Sequence, residues 1–174
     1  MPYYNIYGKI VFKDTPNPDE LLTLAYRLVS KSIEYRFGIN LYGNISSDLL
    51  EDFVDFNYCR KNKYIPFEIL DDPMSNECSE IFDGILIGQH DFIGVENSRL
   101  PILQDFLAEI LGIECISHLV VNAIDKHSDS RAVTTEYEIE ADEFCSTWMN
   151  APRGDSELGN VRFIICKGRN RIDR

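Results

Sequence analysis

Glu136, Glu138, Glu140 and Asp142 recur at every second position in EYEIEAD, with Tyr137, Ile139 and Ala141 between them. If this segment is extended, alternate residues share a face, and the carboxylates form a row with a repeat of about 6.6 to 6.8 Å. Such a row presents charge to a cationic groove much as a polynucleotide backbone does. It also suits an exposed sheet face or an edge strand kept soluble by charge. A second acidic group lies at Asp48, Glu51, Asp52 and Asp55, which fall on about one third of a helical wheel, with Leu49, Leu50, Phe53, Val54 and Phe56 elsewhere on it. Like charges at that spacing repel; a solvated face tolerates the cost and a cationic partner relieves it. Asp71 and Asp72 extend the set. Trp148, between Phe144 and Met149 and ahead of Arg153, is the aromatic anchor expected of such an interface, although the only tryptophan of a chain is also a natural core residue.

Nucleophilic and metal chemistry have few candidates. Of the three histidines, His90 precedes Asp91 among glycines, His118 sits in an apolar run that suits a core residue, and His127 lies in a polar stretch with Asp125 and Asp129. None has the spacing of a two-histidine metal pair, a zinc protease helix or a deaminase signature. The five cysteines, Cys59, Cys78, Cys115, Cys145 and Cys166, include no Cys-x-x-Cys pair, so neither a zinc site nor a disulfide framework is expected. Gly84, Gly88 and Gly94 match no phosphate-binding loop, and no basic residue stands near them. No cofactor and no metal are expected. The enzymatic alternative is a small hydrolase or transferase whose pocket gathers His90, Asp91 and a cysteine such as Cys78 or Cys115, or a glutamate, from distant segments.

The charge distribution agrees with the acidic rows. The chain carries 17 Lys and Arg against 29 Asp and Glu, a formal charge of minus 12. Residues 161 to 174 hold five basic residues and one acid, a net of plus 4, which leaves minus 16 on the other 160. Between Tyr64 and Ser98 there are eight acids and no Lys or Arg. This surface repels nucleic acid and anionic lipid and attracts basic proteins, by steering their encounter more than by adding affinity.

These groups need elements to position them. In YYNIYGKIVFK, Tyr4, Ile6, Gly8, Ile10 and Phe12 alternate with Tyr3, Asn5, Tyr7, Lys9, Val11 and Lys13, which predicts a strand. Asn17, Pro18 and Glu20 have the chemistry of a helix start, and Leu21, Leu24, Ala25, Leu28, Ser32 and Tyr35 then recur at helical spacing as far as Gly38, the expected stop. A short strand at Ile39–Ile45 and a helix from Ser47 or Asp48 follow. Tyr64–Leu70 reads as a strand, with Pro66 placing it at an edge or a strand start. Residues 81 to 95 read as a bulged strand or hairpin. A helix from Asn97 or Ser98 to Gly112, a strand over 113 to 125, the acidic strand over 136 to 142 and a strand at Val161–Lys167 complete the order, before a basic tail expected to fray from about residue 168.

Strands interspersed with helices predict one α+β or α/β domain spanning residues 1–174, a mixed sheet of about five to seven strands with about three helices packed on it. With 44% hydrophobic residues and no apolar run of membrane-spanning length, a globular protein is expected. The absence of an export signal and the scattered cysteines point to the cytoplasm. Together these features favour a non-enzymatic binding protein. The expected function is an immunity protein that neutralises a basic, nuclease-type bacterial toxin by occluding its active site, with Asp48, Glu51, Asp52, Asp55, Asp71, Asp72, Glu136, Glu138, Glu140 and Trp148 as its contact residues.

Overall fold

In a computed structural model of the chain, residues 3–41, 61–70, 81–82, 85–86, 95–125, 134–151 and 160–168 are described. The strands are β1 (Tyr3–Phe12), β2 (Gly38–Leu41), β3 (Tyr64–Leu70), β4 (Ile81–Phe82), β5 (Ile85–Leu86), β6 (Val95–Glu96), β7 (Ile116–Asp125), β8 (Thr134–Glu140) and β9 (Asn160–Cys166). The described helices are α1 (Pro18–Tyr35), α2 (Leu100–Leu111) and α3 (Phe144–Asn150). The strands form one mixed sheet in the order β4-β5-β2-β3-β1-β7-β9-β8, with β6 pairing the start of β1. Six of the strands have four residues or more, so the expected mixed α+β architecture is the one observed. The helix expected from Ser47 or Asp48 lies outside the described residues, and α3 is a helix that the sequence pattern does not predict.

Alternation in β1 works as its pattern predicts. Tyr4, Ile6, Ile10 and Phe12 are buried, whereas Tyr7 and Lys9 are exposed. Register carries this alternation across the sheet: Ile10 faces Ile65 of β3 and Leu119 of β7, Leu119 faces Ile165 of β9, and Ile165 faces Ile139 of β8. All five are buried and form one apolar row under the helices. Burying such side chains stabilises by about 1.5–3 kcal/mol each. The opposite face carries Lys9, Val120, Ile164 and Glu138 in the adjacent row, all exposed or half-buried.

The start of α1 is a reciprocal cap. The Glu20 backbone N–H donates to Asn17 Oδ1 at 2.8 Å, and the Asn17 N–H donates to Glu20 Oε1 at 3.3 Å. Its end corrects the expectation. The stop is Arg36, in the left-handed region at φ 59°, and the Phe37 N–H closes back onto the Ser32 carbonyl at 3.0 Å. Gly38 already belongs to β2. No basic residue stands in the last turn of α1; Arg99 supplies the cation from outside, donating to the carbonyls of Tyr35 at 3.1 Å and Arg36 at 2.9 Å. It also lies 4.4 Å above the Phe37 ring, which stacks on Phe106 of α2 at 5.5 Å.

One further correction concerns a strand. Pro66 lies in a strand paired on both sides, opposite Lys9 of β1; the described pairing with β2 stops at Leu41 opposite Phe67, one residue short of the proline. β3 is therefore an interior strand of the sheet rather than an edge, and Pro66 is its third residue, close to the strand start. Of the bulged strand or hairpin expected over residues 81 to 95, β4 and β5 show antiparallel pairing, with Ile81 opposite Leu86 and Phe82 opposite Ile85.

Candidate functional site

β8 ends the strand order and pairs in parallel with β9, placing Glu136 beside Arg162, Glu138 beside Ile164 and Glu140 beside Cys166. Its inner face is anchored: Ile139 is buried, and the Tyr137 ring stacks on Phe163 at 6.1 Å. The outer face holds the acidic row, with Glu136 and Glu138 exposed and Glu140 half-buried. A Glu136 carboxylate oxygen is 3.6 Å from an Arg162 guanidinium nitrogen, while Arg162 Nε donates to Asn122 Oδ1 at 2.8 Å. The Cys166 Sγ–H donates to Glu138 Oε1 at 3.8 Å. Burial, followed by the negative charge of Glu138 and this hydrogen bond, pushes the Cys166 thiol up from its ordinary range.

Asp142 does not belong to the row. The strand stops at Glu140, whose backbone N–H donates to Glu143 Oε1 at 3.0 Å, while its carboxylate accepts from the Glu143 backbone. This reciprocal cap turns Ala141–Glu143 into a 3-10 turn that leads into α3. The turn gathers carboxylate oxygens of Glu140, Asp142 and Glu143 within 4.8 Å of one another, a set whose hard oxygen donors suit a divalent cation, although the cap alone accounts for its geometry.

Trp148 is corrected as a partner-binding residue. It is 1% exposed, with its ring against Tyr4 at 4.7 Å, Phe144 at 5.3 Å and Phe163 at 5.7 Å, so it cannot present itself to a partner without opening the core. The cause is α3, which puts Phe144 and Trp148 four residues apart on one helical face. His118, expected in the core, lies half-buried on the outer face of β7, opposite Val11 of β1 and Cys166 of β9, with Ser117 Oγ 3.0 Å from its Nδ1. Asp48, Glu51, Asp52, Asp55, Asp71 and Asp72 lie outside the described residues, as do His90, Asp91 and Cys78 of the enzymatic alternative, and His127 and Cys59.

A concavity of about 600 Å³ lies beside the start of α1, where Lys13, Asn17, Glu20, Thr23, Arg27 and Cys115 are among its lining residues. Nothing in the sequence signals it, because its walls come from the segment between β1 and α1, from α1 and from the turn before β7. Burial and the charge of Glu20 push the Cys115 thiol up, and the opposing pull of Lys167 and Lys13 does not reverse this. The Cys145 thiol is raised too, by burial and Asp105. A raised pKa keeps a thiol protonated, which is the wrong state for a nucleophile. None of the three described cysteines is therefore activated. Among the described residues, no helix is long and apolar enough to cross a membrane.

Compared with protein-family models, with curated proteins and with solved structures, the chain matches none.

Proposed function

We propose that the chain is an acidic protein-binding inhibitor of the immunity type, which neutralises a basic, nuclease-like toxin by covering its phosphate-binding site. The observation that carries this reading is the exposed pair Glu136 and Glu138 on the outer face of the terminal strand β8. Two carboxylates at the repeat of an extended strand, about 6.6 to 6.8 Å, can occupy cationic subsites that otherwise take successive phosphates. The formal charge of minus 12 gives the long-range attraction that brings a cationic partner in. The raised thiol pKa values favour this binding role over thiol-based catalysis at the described cysteines.

The mechanism is steering followed by exclusion. The field of the acidic surface accelerates encounter, and the glutamate row then replaces phosphate at the partner's basic groove. Capture with the tagged protein from its native host at low salt tests the reading. One basic protein should be recovered in stoichiometric amount and released as salt is raised, because a Debye length of about 8 Å at 0.15 M screens exposed charges. The double substitution E136Q/E138Q should then slow association several-fold and flatten its salt dependence. Capture of no basic protein, or an association rate indifferent to E136Q/E138Q, overturns the reading for this strand.

A further inference from the structure

The position of β8 bears on how a partner would be held as well as on its charge. β8 is seven residues long, ends the strand order and has β9 as its hydrogen-bonded neighbour among the described strands. An edge strand of that length offers a row of backbone donors and acceptors on its outer side. The strand is held firmly for such a role, since Ile139 and Tyr137 fix its inner face against β9 and the core.

We propose that β8 is a strand-addition edge whose occupant is an extended segment of a basic protein, with Lys or Arg at alternate positions. The proposal rests on the inhibitor reading for the nature of the partner and adds the mode of attachment. Adjacent residues in a ladder point to the same face, with facing Cβ atoms about 4.5–5.5 Å apart in antiparallel pairs. The incoming residues beside Glu136 and Glu138 therefore project on the acidic side and need positive charge. Those between them lie beside Tyr137 and Ile139 and need apolar or small side chains.

Charge also decides against a second copy of the chain. If two β8 edges paired with both helical layers on the same side of a continuous sheet, glutamates would have to face glutamates. A shift of one residue would turn the acidic faces toward the helical side. Like charges directly opposite are destabilising, so the acidic row disfavours self-pairing while it selects a basic strand.

The test uses the whole protein and synthetic ten-residue peptides that alternate Lys with Val or Thr. The controls are a peptide of the same composition with its lysines in one block, and two peptides N-methylated on one or the other alternate set of backbone nitrogens. Anisotropy of labelled peptides gives affinity, and hydrogen exchange of the β8 amides gives location. The alternating peptide should bind about tenfold or more tightly than the block peptide and protect amides within 134–139, Glu140 being already bonded to Glu143. One methylation set alone should lose about tenfold, the size expected from losing two or three backbone hydrogen bonds. E136K/E138K, with its fold checked by circular dichroism, should switch preference to an alternating Glu peptide.

Equal binding of the block peptide, equal effects of the two methylation sets, or no peptide binding overturns edge addition. If the host capture still recovers a basic protein whose association depends on Glu136 and Glu138, the inhibitor reading survives that failure. Loss of both results removes the two together.

Discussion

Arg162 and Glu136 face one another across the β8–β9 ladder, guanidinium to carboxylate at 3.6 Å, with the two side chains 44% and 51% exposed. A pair so open to water contributes little to stability, about 0–1 kcal/mol, but it offsets one charge of the acidic row. Removing the cation should therefore act on binding and hardly on folding. In Arg162→Gln, urea unfolding should shift by less than about 1 kcal/mol. Association with the captured basic partner should speed up about two- to threefold at low salt, and the gain should vanish as salt rises. Stopped-flow association across a salt series measures this, and an unchanged low-salt rate would take Glu136 out of the contact.

Gly8 answers for the closeness of the two longest strands. A Cβ built on Gly8 would lie 1.7 Å from the Val120 carbonyl oxygen and 2.7 Å from its carbon, so any side chain must push β1 and β7 apart. Gly8→Ala should cost about 3 kcal/mol or more, because neither clashing group can rotate away. Gly112 provides the contrast: its backbone is helical at φ −68° and ψ −11°, and a Cβ there meets its nearest atom at 3.4 Å. Gly112→Ala should stabilise by about 0.4–1 kcal/mol by restricting the unfolded chain. Paired urea curves check both signs.

What the sequence made legible was whatever local chemistry decides. The alternation in β1 and the Asn17–Glu20 cap needed only neighbours within four residues, and the acidic alternation named the outer face of β8 correctly. Errors arose where distant partners decided. Pro66 suggests an edge until β1 and β2 are seen to flank its strand, β1 at the proline itself and β2 from Phe67 onward. Asp142 continues the period-2 pattern, but Glu143 reaches back to the Glu140 N–H and ends the strand two residues earlier. Helix α3 has no helical signature because Phe, Cys, Ser, Thr, Trp and Asn, six of its seven residues, are weak helix formers; its fixed points are the preceding cap and a bond from the Cys145 N–H to Gln104 Oε1 at 2.8 Å. Parallel pairing of β8 with β9 has no signature in either strand, since Asn160–Cys166 would read the same against any neighbour.

The burial of Trp148 predicts a silent reporter. Its emission should be blue-shifted and resistant to acrylamide, and it should not change when a basic partner binds at β8. Trp148→Ala should cost about 3–5 kcal/mol, because the ring fills the space between Tyr4, Phe144 and Phe163. Trp148→Phe should retain much of that stability and leave partner affinity unchanged. A loss of affinity in a well-folded Trp148→Phe protein would return the residue to the interface.

Glu138 and Cys166 join the acidic row to a chemical readout that needs no partner. Burial raises the Cys166 thiol first, and the Glu138 charge and hydrogen bond raise it further, with Glu140 adding to them. The thiolate fraction at pH 8 is thus held below that of an ordinary cysteine, and alkylation, which proceeds through the thiolate, is slow. Glu138→Gln removes the anion that opposes ionisation, so the Cys166 pKa should fall and its iodoacetamide rate at pH 8 should rise. Cys145 serves as the reference within the same molecule, because burial and Asp105 raise its thiol and Glu138 does not contribute. Site-resolved mass spectrometry across pH 7 to 10 should show the Cys166 profile moving to lower pH in Glu138→Gln while the Cys145 profile stays in place. A basic ligand on β8 should produce the same downward movement in the native protein, because positive charge beside Glu138 stabilises the neighbouring thiolate. If the Cys166 profile ignores both Glu138→Gln and the ligand, the carboxylate does not point along the row as described, and the acidic face of β8 loses its defined geometry.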